Sequence, residues 1–260
     1  MAIITVDQLD DDAAAEAAGT TLREAVLNAT SGDTIVFDAS LSGSTLTLTA
    51  GQITIDKDVT IDGGISSADN AADITISGGG ASRIFLVNNN STLNLDSLTL
   101  SGGDAGTSSG GAIRVDAGST LTVDDSTFTS NIASRGGAIA SDGQLTLNST
   151  TFVGNTANDP FAAAAGALNV GANSSLIATN VTFFNNTAEA GVIGSAGGAI
   201  NAEINSSASL INATITGNSA TDSAGLSGAD NVYTLTNTIV SGNSATMWQP
   251  GRPRCRNSLR

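Results

Sequence analysis

Between residues 93 and 243 one eleven-residue pattern occurs six times, at 93–103, 121–131, 145–155, 176–186, 208–218 and 233–243. Successive starts lie 28, 24, 31, 32 and 25 residues apart. A period of that size marks a stacked repeat, in which one supersecondary unit buries its apolar side only against the units before and after it. A chain built this way folds as a solenoid of similar coils rather than as a compact layered domain.

Alignment of the copies places Leu93, Leu121, Leu145, Leu176, Ala208 and Tyr233 first, and Leu95, Val123, Leu147, Ala178, Leu210 and Leu235 two residues later. A third apolar position holds Leu100, Phe128, Phe152, Phe183, Ile215 and Val240. Spacing by two is strand periodicity, so Phe128, Phe152 and Phe183 are read as stacked core. A glycine-rich opener precedes four copies: Gly110-Gly111-Ala112-Ile113, Gly136-Gly137-Ala138-Ile139, Ala165-Gly166-Ala167-Leu168 and Gly197-Gly198-Ala199-Ile200. It predicts a third strand, with glycine at a tight corner, so that each coil holds three strands and three bends.

Asn131, Asn155, Asn186, Asn218 and Asn243 stand three residues beyond the third apolar position, where the strand should turn. Asparagine tolerates the left-handed region, and identical amides stacked at the ~4.8 Å strand spacing can hydrogen-bond in a ladder. Residues 33–87 carry less regular alternating runs of the same kind, around Ile35, Leu46, Ile53, Ile61, Ile76 and Phe85. The whole makes roughly eight coils and a rod about 40 Å long.

Thr21-Leu22-Arg23-Glu24 has capping-box spacing, and Leu22, Ala25, Val26 and Ala29 share a helical face. This predicts a short helix lying across the open end of the first coil. A solenoid end exposes unpaired strand edges, so a cap opposes aggregation there, while any uncovered end invites end-to-end self-association. The expected organisation is a flank and capping helix over 1–32, the solenoid over 33–246, and a basic non-repeat tail over 247–260 that reads as linker or artificial sequence.

The formal charge is −15 with no histidine, and residues 1–246 carry 24 acidic against five basic groups. Such a surface repels phosphates, which argues against nucleic-acid binding and against anionic lipid surfaces. The single cysteine, Cys255, lies in the tail, so neither a disulfide framework nor a thiolate metal site is expected. No apolar run reaches the ~18 residues of a membrane span, so no membrane insertion is expected, and residues 1–6 lack the basic start and long apolar core of a signal peptide.

The Gly-Gly-Ala-Ile openers together with Phe128-x-x-Asn131, Phe152-x-x-Asn155 and Phe183-x-x-Asn186 resemble the repeats of chlamydial polymorphic outer-membrane proteins and related bacterial surface proteins. Residues 21–26, Thr-Leu-Arg-Glu-Ala-Val, are similar to the Cys-Ser-Leu-Arg-Glu-Ala segment that opens many bacterial parallel β-helix proteins. What these resemblances imply is an all-β, single-stranded right-handed parallel β-helix from an extracellular or cell-surface bacterial protein, often an adhesin or passenger domain.

Parallel β-helices also include polysaccharide lyases and epimerases, so chemistry has to be weighed on the side chains. The chain has one lysine, one tyrosine and one tryptophan, and Tyr233 falls in a core register. Sugar-cleaving sites need paired carboxylates or a carboxylate beside another base, commonly on an aromatic-lined face. The best constellation is Asp56, Asp58 and Asp62 around Lys57, with Asp38 or Asp73 beside it and Arg83 or Arg114 as a lyase-like arginine; the bland reading is a solvated acidic turn. Asp7, Asp10, Asp11 and Asp12 form an acidic cluster that would hold calcium weakly, although the calcium nonapeptide and EF-hand patterns are absent. No other cofactor is expected. Outward threonines such as Thr122, Thr146 and Thr234 suggest a flat ladder like those of ice-binding solenoids, but Ile177 and Ser209 interrupt it.

The functional expectation is a non-catalytic structural or adhesive segment whose loops at 104–109, 158–164 and 189–196 meet a host or cell-surface glycan or protein. The alternative is a polysaccharide-processing β-helix enzyme or carbohydrate-binding module. Insertions at those loops stretch the repeat without touching its core.

Overall fold

The computed structural model describes residues 1–11, 19–65, 73–159, 161, 164–189, 196–228 and 232–245. Asp12, the tail from 246 onward and parts of two of the three loops lie outside the described residues. The chain winds as a right-handed parallel β-helix of about eight turns, and every strand pair is parallel. Parallel crossovers within one sheet take that hand because right-twisted strands pack back onto the sheet only that way.

Following one coil, the chain passes through four sheets. Sheet I has nine strands, from Ile3–Val6 at one edge to Tyr233–Thr236 at the other. Sheet II has eight, from Thr45–Thr47 to Ile239–Ser241. Sheet III has five two-residue strands, from Ile132–Ala133 to Ser244–Ala245, and sheet IV has seven, from Ile53–Ile55 to Leu226–Gly228. The later coils thus hold four strands, where the sequence predicts three. The additional one is only two residues long, too short to show a period, and it is recognisable only because its copies pair.

The repeat alignment is the structural register. Leu93, Leu121, Leu145, Leu176, Ala208 and Tyr233 form one continuous column of Cα partners, as do Leu100, Phe128, Phe152, Phe183, Ile215 and Val240. These columns fill a single apolar core. At its centre the rings of Phe128 and Phe152 stack with centroids 4.9 Å apart, and those of Phe152 and Phe183 at 4.7 Å. Identical side chains stacked at the coil spacing leave no void between turns.

The asparagine column is fully buried from Asn131 to Asn218. Each amide donates to the next: Asn131 Nδ2 to Asn155 Oδ1 at 3.0 Å, and Asn155 to Asn186, Asn186 to Asn218 and Asn218 to Asn243 at 2.9 Å each. The same acceptor oxygens also take the backbone N–H of the preceding asparagine, and each amide donates back to the carbonyl at the aromatic position, as Asn186 does to Phe152. Buried amides survive only when their donors and acceptors are so occupied. The left-handed residue of this bend is the one before the asparagine: Ser130, Gly154, Asn185, Gly217 and Gly242 have φ between 54° and 69°. The asparagine needs its amide aimed inward, and the neighbour takes the reversal.

At the glycine openers the two positions do different work. Gly110, Gly136 and Gly197 have positive φ, and Ala165 adopts the same conformation at 61°. The second position, Gly111, Gly137, Gly166 and Gly198, has no space for a Cβ because a carbonyl of the following coil lies there.

The predicted helix is Leu22–Asn28, capped by Thr21 with both capping-box bonds made to Glu24. Leu22, Ala25, Val26 and Ala29 are buried, and the helix packs on the strands Ile3–Val6, Asp33–Phe37 and Ile53–Ile55 of the first coil. Lys57 on the next bend donates to the carbonyls of Val26 and Leu27, satisfying orphan acceptors of the last turn.

Candidate functional site

The core columns spend their polar groups on one another, so any site must lie on outward positions and bends. Asp56, Asp58 and Asp62 occupy consecutive bend and strand-end positions flanking the sheet I strand Val59–Asp62. Asp56 forms a 3.7 Å ion pair with Lys57, Asp58 accepts from the N–H of Thr92 at 2.8 Å, and Asp62 accepts from the N–H of Gly64 at 2.9 Å. Asp62 thus ties down its own bend, and Asp58 bridges to the next coil. None pairs with Arg83 or Arg114. Asp38 caps the short helical turn Ala39–Leu41 through Ser40, which holds its carboxyl below the ordinary range, and Asp73 accepts from Ser42 and Ile65.

The arginines are engaged elsewhere. Arg83 donates to Gln52 and to the carbonyls of Ser109 and Gly110. Burial, reinforced by the nearby Arg114, lowers its pKa from the ordinary arginine value. Arg114, in the middle of a sheet IV strand, pairs with Asp116 at 3.2 Å and with Asp142 one coil on. The same row of the sheet continues through Asn169 and Asn201, whose amides are bonded to each other and to Glu203. These polar groups, Arg114, Asn169 and Asn201 on a row that also holds Ala140, and Asp116, Asp142 and Glu203 just past the strand ends, escape the sequence reading because they differ in type. Only the register brings them to one face.

The N-terminal acids separate by role. Asp11, with a side chain 1% exposed, forms a bidentate pair with Arg23 at 2.7 and 2.9 Å and accepts the N–H groups of Thr49 and Ala50. Asp7 accepts from the N–H of Thr20, and Asp10 is exposed. Asp10 and Asp11 line a surface cavity of about 540 Å³ with Leu9, Thr45, Thr47 and Thr49. Among the described residues no group of three or more His, Cys, Asp and Glu is disposed to hold a metal.

In the coils from residue 93 onward the bends that differ most in length converge on one corner, between sheets III and IV, whereas in the early coils the long connection is the one from Asp62 to Ile74 between sheets I and II. Ser109, Arg135, Ala164, Ala196 and Ser223 are joined in a column of parallel bridges that marks the base of that corner in successive coils. From the alanine of sheet III to this column the chain uses two residues at Ala133–Arg135, seven at Ala157–Ala164 and eight at Ala188–Ala196. The alanines Ala157, Ala188, Ala220 and Ala224 pack there as a small cluster of their own.

With this geometry in place, the chain can be set beside known proteins. The Chlamydia polymorphic membrane protein repeat matches residues 125–142 and 180–203. Those spans hold two of the asparagine bends and two of the glycine openers. Comparison with curated proteins finds no match. Among solved structures, the PL6 family alginate lyase AlyGC aligns with a TM-score of 0.44 and 15% identity over 95% of this chain, which spans 40% of the length of that protein.

Proposed function

We propose that this chain is a non-catalytic structural and adhesive segment of a bacterial secreted or cell-surface protein, a rigid β-helix that presents loops to a glycan or protein on another surface. The observation that carries this reading is that, in the coils from residue 93 onward, the largest length changes fall at one corner: the bridge column keeps the coil base constant while the chain between grows from two to eight residues. A scaffold that holds its register under insertions displays variable loops without repacking its core. The match of two coils to the polymorphic membrane protein repeat supports the surface location. The loops are short and built mostly of small residues, with Phe161 the exposed large side chain among their described residues, so each contact is small and adhesion relies on many copies side by side.

The test is to couple the purified chain to beads and measure retention on arrays of cell-surface glycans and on intact cells. A second chain has residues 158–164 shortened to the two-residue connection found at 134–135. Retention that falls in the shortened chain, with unchanged thermal unfolding, supports loop display. Equal retention by both chains removes the loops from the reading. Release of unsaturated or reducing sugar ends would replace it with an enzyme.

A further inference from the structure

Sheet II carries an outward column that the sequence alignment passes over. Thr45, Thr75, Thr99, Thr127, Thr151, Thr182 and Thr214 are consecutive Cα partners, seven threonines unbroken before Ile239 in the last coil. Two residues along each strand a second column runs Thr47, Ser77, Ser101, Thr129, Val153, Phe184, Thr216 and Ser241. None of the eight strands contains a charged residue, in a protein of formal charge −15. Among the described residues, none of the seven hydroxyls is bonded to the protein, whereas the exposed asparagines of the neighbouring bend pair with each other from Asn180 through Asn212 to Asn237.

Strand propensity favours threonine on any outward position. It does not explain the order: the corresponding row of sheet I, under the same preference, runs Thr34, Thr60, Asn94, Thr122, Thr146, Ile177, Ser209 and Thr234. The sheet II columns form a two-dimensional grid, with roughly 4.8 Å between coils and roughly 6.6 Å between alternate residues of a strand. Every node of the first column offers one hydroxyl, able to donate once and accept twice, beside one methyl. β-branching fixes these groups at χ1, and the phenylalanine stack directly beneath holds the backbone rows in place. Thr45 and Thr47 border the cavity of Asp10 and Asp11, but from Thr75 to Thr214 the strands carry no charge and the first-column hydroxyls are unspent, which fits a partner that is itself uncharged and periodic. The grid's single aromatic ring, Phe184, is too little for stacking on a sugar crystal face.

We infer that the outer face of sheet II is an ice-binding surface, which orders water on its hydroxyl and methyl grid and adsorbs to the water lattice. Each node contributes little, and adsorption comes from many pre-aligned contacts made at once.

The experiment slowly freezes a solution of the whole chain and measures its partition into ice, alongside thermal hysteresis. Thr151→Tyr places a ring in the middle of the sheet II grid, and Thr146→Tyr places the same ring on sheet I; both positions are outward, and circular dichroism checks the fold of each. Expected are partition of the wild type into ice, its loss in Thr151→Tyr and its retention in Thr146→Tyr. Thr127→Lys, expected to lose partition in the same way, serves should Thr151→Tyr not fold. Exclusion of the wild type from ice overturns the inference, as does equal partition of all variants. Concentration-dependent dimerisation abolished by Thr151→Tyr also overturns it, because the face would then belong to a second copy.

Discussion

Asn186 shows what a single side chain contributes to a stacked fold. Its oxygen takes the backbone and side-chain N–H groups of Asn155, and its amide covers the carbonyl of Phe152. Asn186→Ala strands three buried polar groups, each costing about 1 kcal/mol or more, so a loss of about 3 kcal/mol is expected in chemical unfolding. Asn212→Ala, on the exposed amide row, is expected to change stability by less than about 0.5 kcal/mol. Phe152→Asp puts a charge between two stacked rings, and an unchanged melting temperature would refute the register. Asp33 is a different case. The N–H of Ala2, then the N–H and hydroxyl of Thr30, bond its carboxylate and hold it down to about 2 from an ordinary 3.8. The folded state therefore binds fewer protons than the unfolded one between those values. Asp33's contribution is complete above about pH 3.8 and disappears as pH falls through about 2. Acid titration of unfolding should show the stability gap between wild type and Asp33→Asn closing over that interval.

At the scale of elements, the first coil is held by a staple that spans three segments. Arg23 on the helix binds Asp11 and donates to the carbonyls of Gly51 and Gln52, while Asp11 also binds the N–H groups of Thr49 and Ala50. Arg23→Ala leaves a carboxylate buried with only its two backbone donors. A cost of about 3 kcal/mol is expected, seen as early loss of amide-exchange protection in Leu22–Asn28 and Ile3–Val6. Asp58→Ala removes one exposed bond to Thr92 and is expected to cost about 1 kcal/mol or less. The helix itself was legible from the threonine, the glutamate three residues on and the four apolar positions. The staple was not, because Asp11 and Arg23 meet only once the chain has turned back on itself.

For the whole molecule, stability is the sum of coil-to-coil interfaces, and the columns predict what can be removed. Excision of residues 121–144 takes out one complete coil of 24 residues and brings Leu93 into register with Leu145, Leu100 with Phe152, and Gly103 with Asn155. The shortened chain is expected to keep its β-sheet circular dichroism and a single unfolding transition at lower denaturant. Excision of twelve residues from the same region breaks every column at once and is expected to abolish folding. A sheared register turns core side chains out and exposes the amide ladder.

The sequence by itself determined the coil, its period and the occupants of its apolar and amide columns, because those positions repeat and one-dimensional alignment reproduces the three-dimensional stack. The tertiary structure decided what repetition does not encode. The two-residue strands of sheet III emerge only by pairing. Arg114 and Asn169 share one row on either side of Ala140, with Asp142 just past the strand end, although no motif links them. The unbroken threonine column lies on sheet II, while Thr122, Thr146 and Thr234 lie on the interrupted row of sheet I. The difference is physical: buried columns are selected for identity because each member packs on its own copy. Outward positions are free to differ, and their arrangement exists only where register and face are both known.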